Sequence, residues 1–104
     1  MAYPSKYENA QVEILGVPST ARQLTAGSAS SNTALTSTTQ RISMRAVGAD
    51  IRFSIGVGTQ TANGNTSNFI ANGERLDFAV PVGANIAVIR DGTVNGTLEL
   101  TELI

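Results

Sequence analysis

From Arg41 to Ile55 the chain reads RISMRAVGADIRFSI, with apolar and polar residues alternating on both sides of Gly48-Ala49. A two-residue hairpin loop at Gly48-Ala49 predicts Val47 opposite Asp50, and that sets the register of everything behind it. Ala46 then faces Ile51, Met44 faces Phe53 and Ile42 faces Ile55, so the apolar residues share one side. Arg45 against Arg52 and Ser43 against Ser54 take the other. A slip by one residue would undo this sorting.

The same alternation predicts the remaining elements. Met1 to Ala10 has no periodicity and reads as an extended arm. Gln11 to Val17 reads as a strand ended by Pro18, which cannot donate to a ladder, and Thr20 to Leu24 as a second short strand. Thr25 to Thr39 is linker-like in composition. A polar edge strand around Ser28 to Leu35, with Ala29 and Leu35 inward, is favoured over a loop because loops of this length are uncommon in compact domains.

After Ile55 comes a long polar loop, GVGTQTANGNTS. Asn72-Gly73 is a strong hairpin signal that pairs Ala71 with Glu74 and Phe69 with Leu76. Ala84 to Arg90 is apolar on both faces, as in a central strand. Asp91 to Gly96 turns the chain into a last strand, Thr97 to Ile104, with Leu98 and Leu100 inward. Seven or eight short strands with frequent turns describe an all-β sandwich or small barrel.

Composition agrees with this pattern. Ser and Thr make up about a fifth of the 104 residues, there are 10 Gly, and only 14% of residues are charged; such sequence favours strands and disfavours helices. The net charge of −1 gives no basic footprint for nucleic acid. The chain has no cysteine and no histidine, which removes thiol chemistry, the commonest general base and the commonest transition-metal ligand. No leader-like or membrane-spanning apolar run occurs, so the expectation is a small complete product made in the cytoplasm, without a membrane partner. A core this small without disulfides favours oligomerisation or docking on a larger assembly.

Candidate chemistry is thin. Gly56 to Thr61 (GVGTQT) lacks the third glycine, lysine and helix of a phosphate loop. Asp91 and Asn95 have a spacing compatible with a calcium loop, but they are ordinary turn residues with too few carboxylates. Glu74, Asp77, Glu99 and Glu102 include no pair selected by spacing for glycoside hydrolysis, and Phe53, Phe69 and Phe78 are expected inward. Asn65 and Asn95 begin glycosylation sequons that mean little without a secretory signal. No catalytic residue, metal site or cofactor is expected.

Two features ask for a partner. Arg45 opposite Arg52 places like charges across a strand pair, which destabilises unless something neutralises them; Arg41 and Asp50 are near, and Asp50 is the expected diagonal partner for one guanidinium. Solvated arginines with that intramolecular partner are one reading, and an acidic or carbonyl-rich protein surface is the other. Tyr3 and Tyr7 on the arm pose the same choice between an unstructured end and an aromatic contact with a neighbour. Tyr3, Tyr7, Arg41, Arg45 and Arg52 are the candidate interface residues.

The runs RISMRAVGADIRFSIG, SNFIANGERLDFAVPVGANIAVIRDG and NGTLELTEL resemble the small β-sandwich proteins encoded among the head genes of tailed bacteriophages. The shared pattern is a small-residue turn before an (I/V)RF strand (Ala49 to Phe53), a PAG-like turn (here Ala-Asn-Gly, within Ala71 to Glu74), a vP.G..IAVI segment (Val80 to Ile89) and a terminal G-T-L-x-x-T-E-L strand (Gly96 to Leu103). It covers the last two-thirds of the chain and carries over no functional side chain. The resemblance implies a virion structural component: a head decoration or cement protein bound to the major capsid protein, with a tail, connector or spike accessory protein as the alternative. It further implies an arm of residues 1–10 before a single antiparallel, jelly-roll-like sandwich of residues 11–104, assembled as a homo-oligomer (dimer or trimer). A carbohydrate-binding module is the competing expectation from another class, and a hydrolase the third.

Overall fold

The computed structural model describes residues 16–104. The arm with Tyr3 and Tyr7, and residues 11–15 of the expected first strand, lie outside the described residues. Within them the regular elements are all strands: β1 (Pro18–Ala26), β2 (Ser31–Ala34), β3 (Arg41–Val47), β4 (Ile51–Val57), β5 (Asn68–Ile70), β6 (Arg75–Ala79), β7 (Ala84–Arg90) and β8 (Gly96–Leu103). They form two antiparallel four-stranded sheets, sheet A in the order β1-β8-β3-β6 and sheet B in the order β2-β7-β4-β5.

The pairing is nested. β1 pairs with β8, β2 with β7, β3 with β6 and β4 with β5, as in one long hairpin. That ribbon doubles over, so β8 also lies beside β3 and β7 beside β4. Alternation places Ile42, Met44, Ala46, Leu98 and Leu100 of sheet A against Ile51, Phe53, Ile70, Ile86 and Val88 of sheet B in one buried cluster. Phe53 and Phe78 meet across the layers with ring centroids 5.8 Å apart. Each large side chain buried this way contributes about 1.5–3 kcal/mol before entropy is subtracted.

Two expected hairpins are corners instead. Residues 48–50 carry the chain from β3 in sheet A to β4 in sheet B, so Met44 does not pair with Phe53; it pairs with Leu76 and Leu100. Likewise Ala71 to Glu74 links β5 in sheet B to β6 in sheet A, and Phe69 pairs with Arg52 rather than Leu76. The turn itself is real: Glu74 N–H donates to the Ala71 carbonyl at 2.8 Å. Gly73, at the third position, has φ 86°, a value that suits glycine. Asn72 ties the two corners together. Its side-chain oxygen accepts from Gly48 N–H at 3.0 Å and its own N–H donates to Asp50 Oδ1 at 2.8 Å.

The first strand also differs. Pro18 opens β1 rather than closing a strand, a position where a missing N–H costs no ladder bond. The polar edge strand exists as β2 with Leu35 buried, but Ala29 is exposed in the turn before it. β7 is interior to sheet B, as its two apolar faces require. Its outward Ala87 is fully buried because its cross-strand neighbours Asn32 and Ser54 both bind Gln60, drawing residues 58–67 over the sheet.

Candidate functional site

The corner at residues 48–50 sends Arg45 and Arg52 to opposite outer faces, which removes their expected apposition. Arg52, on sheet B, is fully engaged. Its Nε donates to Asp91 Oδ1 at 2.8 Å, NH1 donates to the Ser67 carbonyl at 3.0 Å, and the guanidinium stacks 4.9 Å from the Phe69 ring centre. The expected diagonal partner, Asp50, is instead taken by the Asn72 N–H. Arg41 is half-buried at the lower end of β3, beside Gly16. A Cβ on Gly16 would fall 2.5 Å from the Ile104 carbonyl oxygen and 3.2 Å from an Arg41 nitrogen, and φ there is 75°, so this crossing needs glycine.

Arg45 stands in a different setting. On the outer face of sheet A, cross-strand rows run Thr25–Thr97–Val47, Gln23–Glu99–Arg45–Arg75 and Ala21–Thr101–Ser43–Asp77. Arg45 lies between Glu99 and Arg75, is exposed, and makes no side-chain hydrogen bond or ion pair among the described residues. Ser43 and Val47 flank it along β3, and Thr97 and Thr101 lie diagonally on β8. Unlike sheet B, this face has no loop tied across its centre among the described residues.

The other candidates disperse. Asp91 binds Arg52, and Asn95 Oδ1 accepts from Arg90 NH1 at 2.7 Å, so both oxygens of the calcium-like spacing serve arginines. Among the described residues no group of three or more acidic side chains converges as a metal site. Glu74 caps its own turn through Ala71 N–H, and Glu99 and Glu102 lie on opposite faces of β8. Gly56 and Val57 end β4, and the rest of GVGTQT enters the loop over sheet B with no helix behind it. No helix among the described residues is long and apolar enough to cross a membrane.

Glu102 has a role the sequence reading missed. It is fully buried at one end of the core, where Oε2 accepts from Arg22 Nε and Oε1 from Thr36 N–H at 3.0 Å and from the Thr39 hydroxyl. Its backbone carbonyl accepts from Ser19 Oγ at 3.0 Å. Burial pushes its pKa up, but the bonds from Thr39, Arg22 and Thr36 outweigh that and hold the carboxyl below its ordinary value. One carboxylate thereby joins β1, the β2–β3 connection and β8. The parity that turns Leu98 and Leu100 inward already assigns Glu102 to the core, and Arg22 shares the inward parity of Leu24 and Ala26.

At the opposite edge of the sandwich, β5 and β6 stand apart. An open apolar cleft of about 480 Å³ lies between them, lined by Phe53, Ile55, Phe69, Leu76, Phe78 and Val80. Phe69, expected inward, is 43% exposed there. Comparison with family models, curated proteins and solved structures finds no match to this chain.

Proposed function

We propose that this chain is a structural protein of a tailed-phage particle, a decoration or cement protein that docks on the lattice of the major capsid protein through the outer face of sheet A. The observation that carries the reading is that face: a polar surface on which Arg45 is held by two flanking strands and makes no side-chain hydrogen bond or ion pair among the described residues. The resemblance of three sequence runs to phage head proteins supplies the partner class. The finer fold reading belongs with it: the nested pairing of β1–β8, β2–β7, β3–β6 and β4–β5 supports a jelly roll.

Magnitude limits how the docking works. Four strands about 4.8 Å apart and about seven residues long at ~3.4 Å each give a footprint of roughly 450 Å². A stable interface needs about 800 Å² per partner. The face therefore supplies about half, and the remainder falls to residues 1–10 with Tyr3 and Tyr7 reaching a neighbouring subunit. Binding of this kind adds free energy to the assembled lattice and none to free subunits, so it stabilises the particle by mass action.

Mixing the purified protein with shells that lack it, and separately with dissociated capsid subunits, tests the reading. Saturable binding to shells, a higher shell melting temperature and little binding to free subunits are expected. Equal binding to both, or to neither, contradicts it. A glycan-binding accessory role gains the exposure of Phe69, but Arg52 occupies one face of that ring where a sugar would stack. Saturable binding to one sugar on a glycan array would reverse this order.

A further inference from the structure

β6 ends sheet A, and among the described residues nothing pairs with its second edge. The bonds that flank its ladder with β3 fix which backbone groups remain. Val80 N–H donates to the Gln40 carbonyl at 2.8 Å, and Ala46 N–H to the Glu74 carbonyl at 3.2 Å. Bonded and non-bonded pairs alternate in an antiparallel ladder, so Phe78 and Leu76 exchange bonds with Ile42 and Met44. The N–H and C=O groups of Arg75, Asp77 and Ala79 therefore point away from β3.

The other sheet ends are short or interrupted at one end. β1 opens with Pro18 and a register irregularity before Thr20, though Thr20 to Ala26 runs without a break, β2 has 4 residues and β5 has 3. Proline, irregularity and shortness are devices that suppress edge pairing. β6 has neither a proline nor a register shift, and the apolar cleft runs along the same side.

We propose that β6 pairs antiparallel with β6 of a second copy about a two-fold axis at Leu76, joining two A sheets into one continuous sheet. Only the odd-numbered residues offer backbone groups, so they must pair with each other. With the axis at Leu76, Arg75 lies opposite the partner subunit's Asp77, and Asp77 opposite the partner subunit's Arg75. An axis at Asp77 sets that carboxylate against its own copy, and an axis at Phe78 leaves both charges facing uncharged residues. Charge thus selects one register, and the contact is self-complementary as an isologous interface requires. Within one chain Arg75 and Asp77 are 3.7 Å apart with side chains 70% and 45% exposed, a weak pair in water. Arg75 Nε also donates to Ser43 Oγ at 3.1 Å; dimerisation gives each a second charged partner and brings the two apolar clefts to a common seam, covering surface that an isolated edge leaves wet.

This pairing requires no capsid, so measurements on the free protein decide it separately from the shell reading. Sedimentation of the full chain should show a concentration-dependent dimer. Arg75→Asp or Asp77→Arg alone should weaken it about tenfold or more, since each reversal turns both symmetric pairs repulsive. The two changes in one chain should restore it, and mixing the two single variants should give a heterodimer tighter than either homodimer. Because the chain has no cysteine, Leu76→Cys should form a disulfide-linked dimer under mild oxidation, while Ala79→Cys, opposite Gly73 in this register, should not. A chain that stays monomeric, or single variants that dimerise as well as the parent, overturns the proposal. So does Leu76→Cys that fails to cross-link, the result expected if residues 1–15 of the same chain occupied the edge.

Discussion

Replacing Glu102 by Gln removes a charge at the one point where β1, the β2–β3 connection and β8 are tied by a single side chain. The shape is kept, so the core does not collapse around a void. Three donors converge on the native carboxylate: Arg22 Nε, Thr36 N–H and the Thr39 hydroxyl. The amide offers one acceptor oxygen, which can serve Thr36 and Thr39, but its NH2 then faces the Arg22 donor. Hydrogen bonds to a charged group contribute about 1.5–3 kcal/mol each, against about 1 for neutral ones. Arg22 is 27% exposed and regains some hydration. The expected loss is therefore about 2–3 kcal/mol at neutral pH, the value of one charge-assisted bond and the weakening of two others.

In urea, with m about 1–3 kcal/mol/M for a chain this small, that loss moves the midpoint down by roughly 0.7–3 M. The pH dependence has a definite sign. The folded carboxyl has its pKa below the ordinary 4.5, so its contribution is complete above that pH. As pH falls below 4.5 the unfolded state takes up the proton first, and the contribution declines until the folded carboxyl is protonated too. The gap between wild type and Glu102→Gln should thus narrow in acid. A gap below about 0.5 kcal/mol at pH 7, or one that is constant with pH, would refute the assignment of Glu102 as a charged tie.

Other perturbations separate the two faces. Arg45→Glu should leave the denaturation midpoint within about 0.5 kcal/mol of wild type and reduce occupancy on shells; unchanged occupancy removes sheet A from the docking account. Arg52→Glu should do the reverse, costing about 1–2 kcal/mol by chemical denaturation through loss of the Asp91 pair and the Phe69 stack, with occupancy following only the fraction folded. Asn32→Ala removes the acceptor for Gln60 N–H at 2.8 Å, so residues 58–67 should be cut faster in limited proteolysis without loss of the core. Deleting Met1 to Tyr7 should weaken shell binding more than it lowers the melting temperature of the free protein; no change in either measurement removes the arm from the account.

Alternation along the chain made the inner and outer faces legible. Ile42, Met44 and Ala46, and Ile51 and Phe53, are buried as their parity predicts. It did not reveal partners. In a sandwich the inner faces of two sheets confront each other, so residues either side of a corner have the same sorting as residues across a hairpin. Gly48-Ala49 and Asn72-Gly73 look like hairpin loops for that reason, and contacts between stretches distant in sequence, those of Asn72 with Gly48 and Asp50 and of Ala46 with Gly73 and Glu74, hold them as corners. The one sequential pair within a sheet, β4–β5, spans the polar stretch that reads as a plain loop, because its closure depends on Gln60 meeting Asn32 and Ser54. Arg45 and Arg52 were legible as outward-facing, but which sheet each faced from was not. Phe69 escaped the inward rule because the register sets Ile70 against Ile51 on the inner face and leaves Phe69 beside outward Arg52, whose guanidinium stacks on it.

A reconstruction of tailed-phage particles assembled with this protein tests the central claim most directly. The account predicts density for the sandwich on the capsid surface, with Arg45 and the outer rows of sheet A against the major capsid protein and the loop of residues 58–67 turned away. Density for this chain elsewhere than on the shell, or a shell contact made through the Arg52 face, would contradict it.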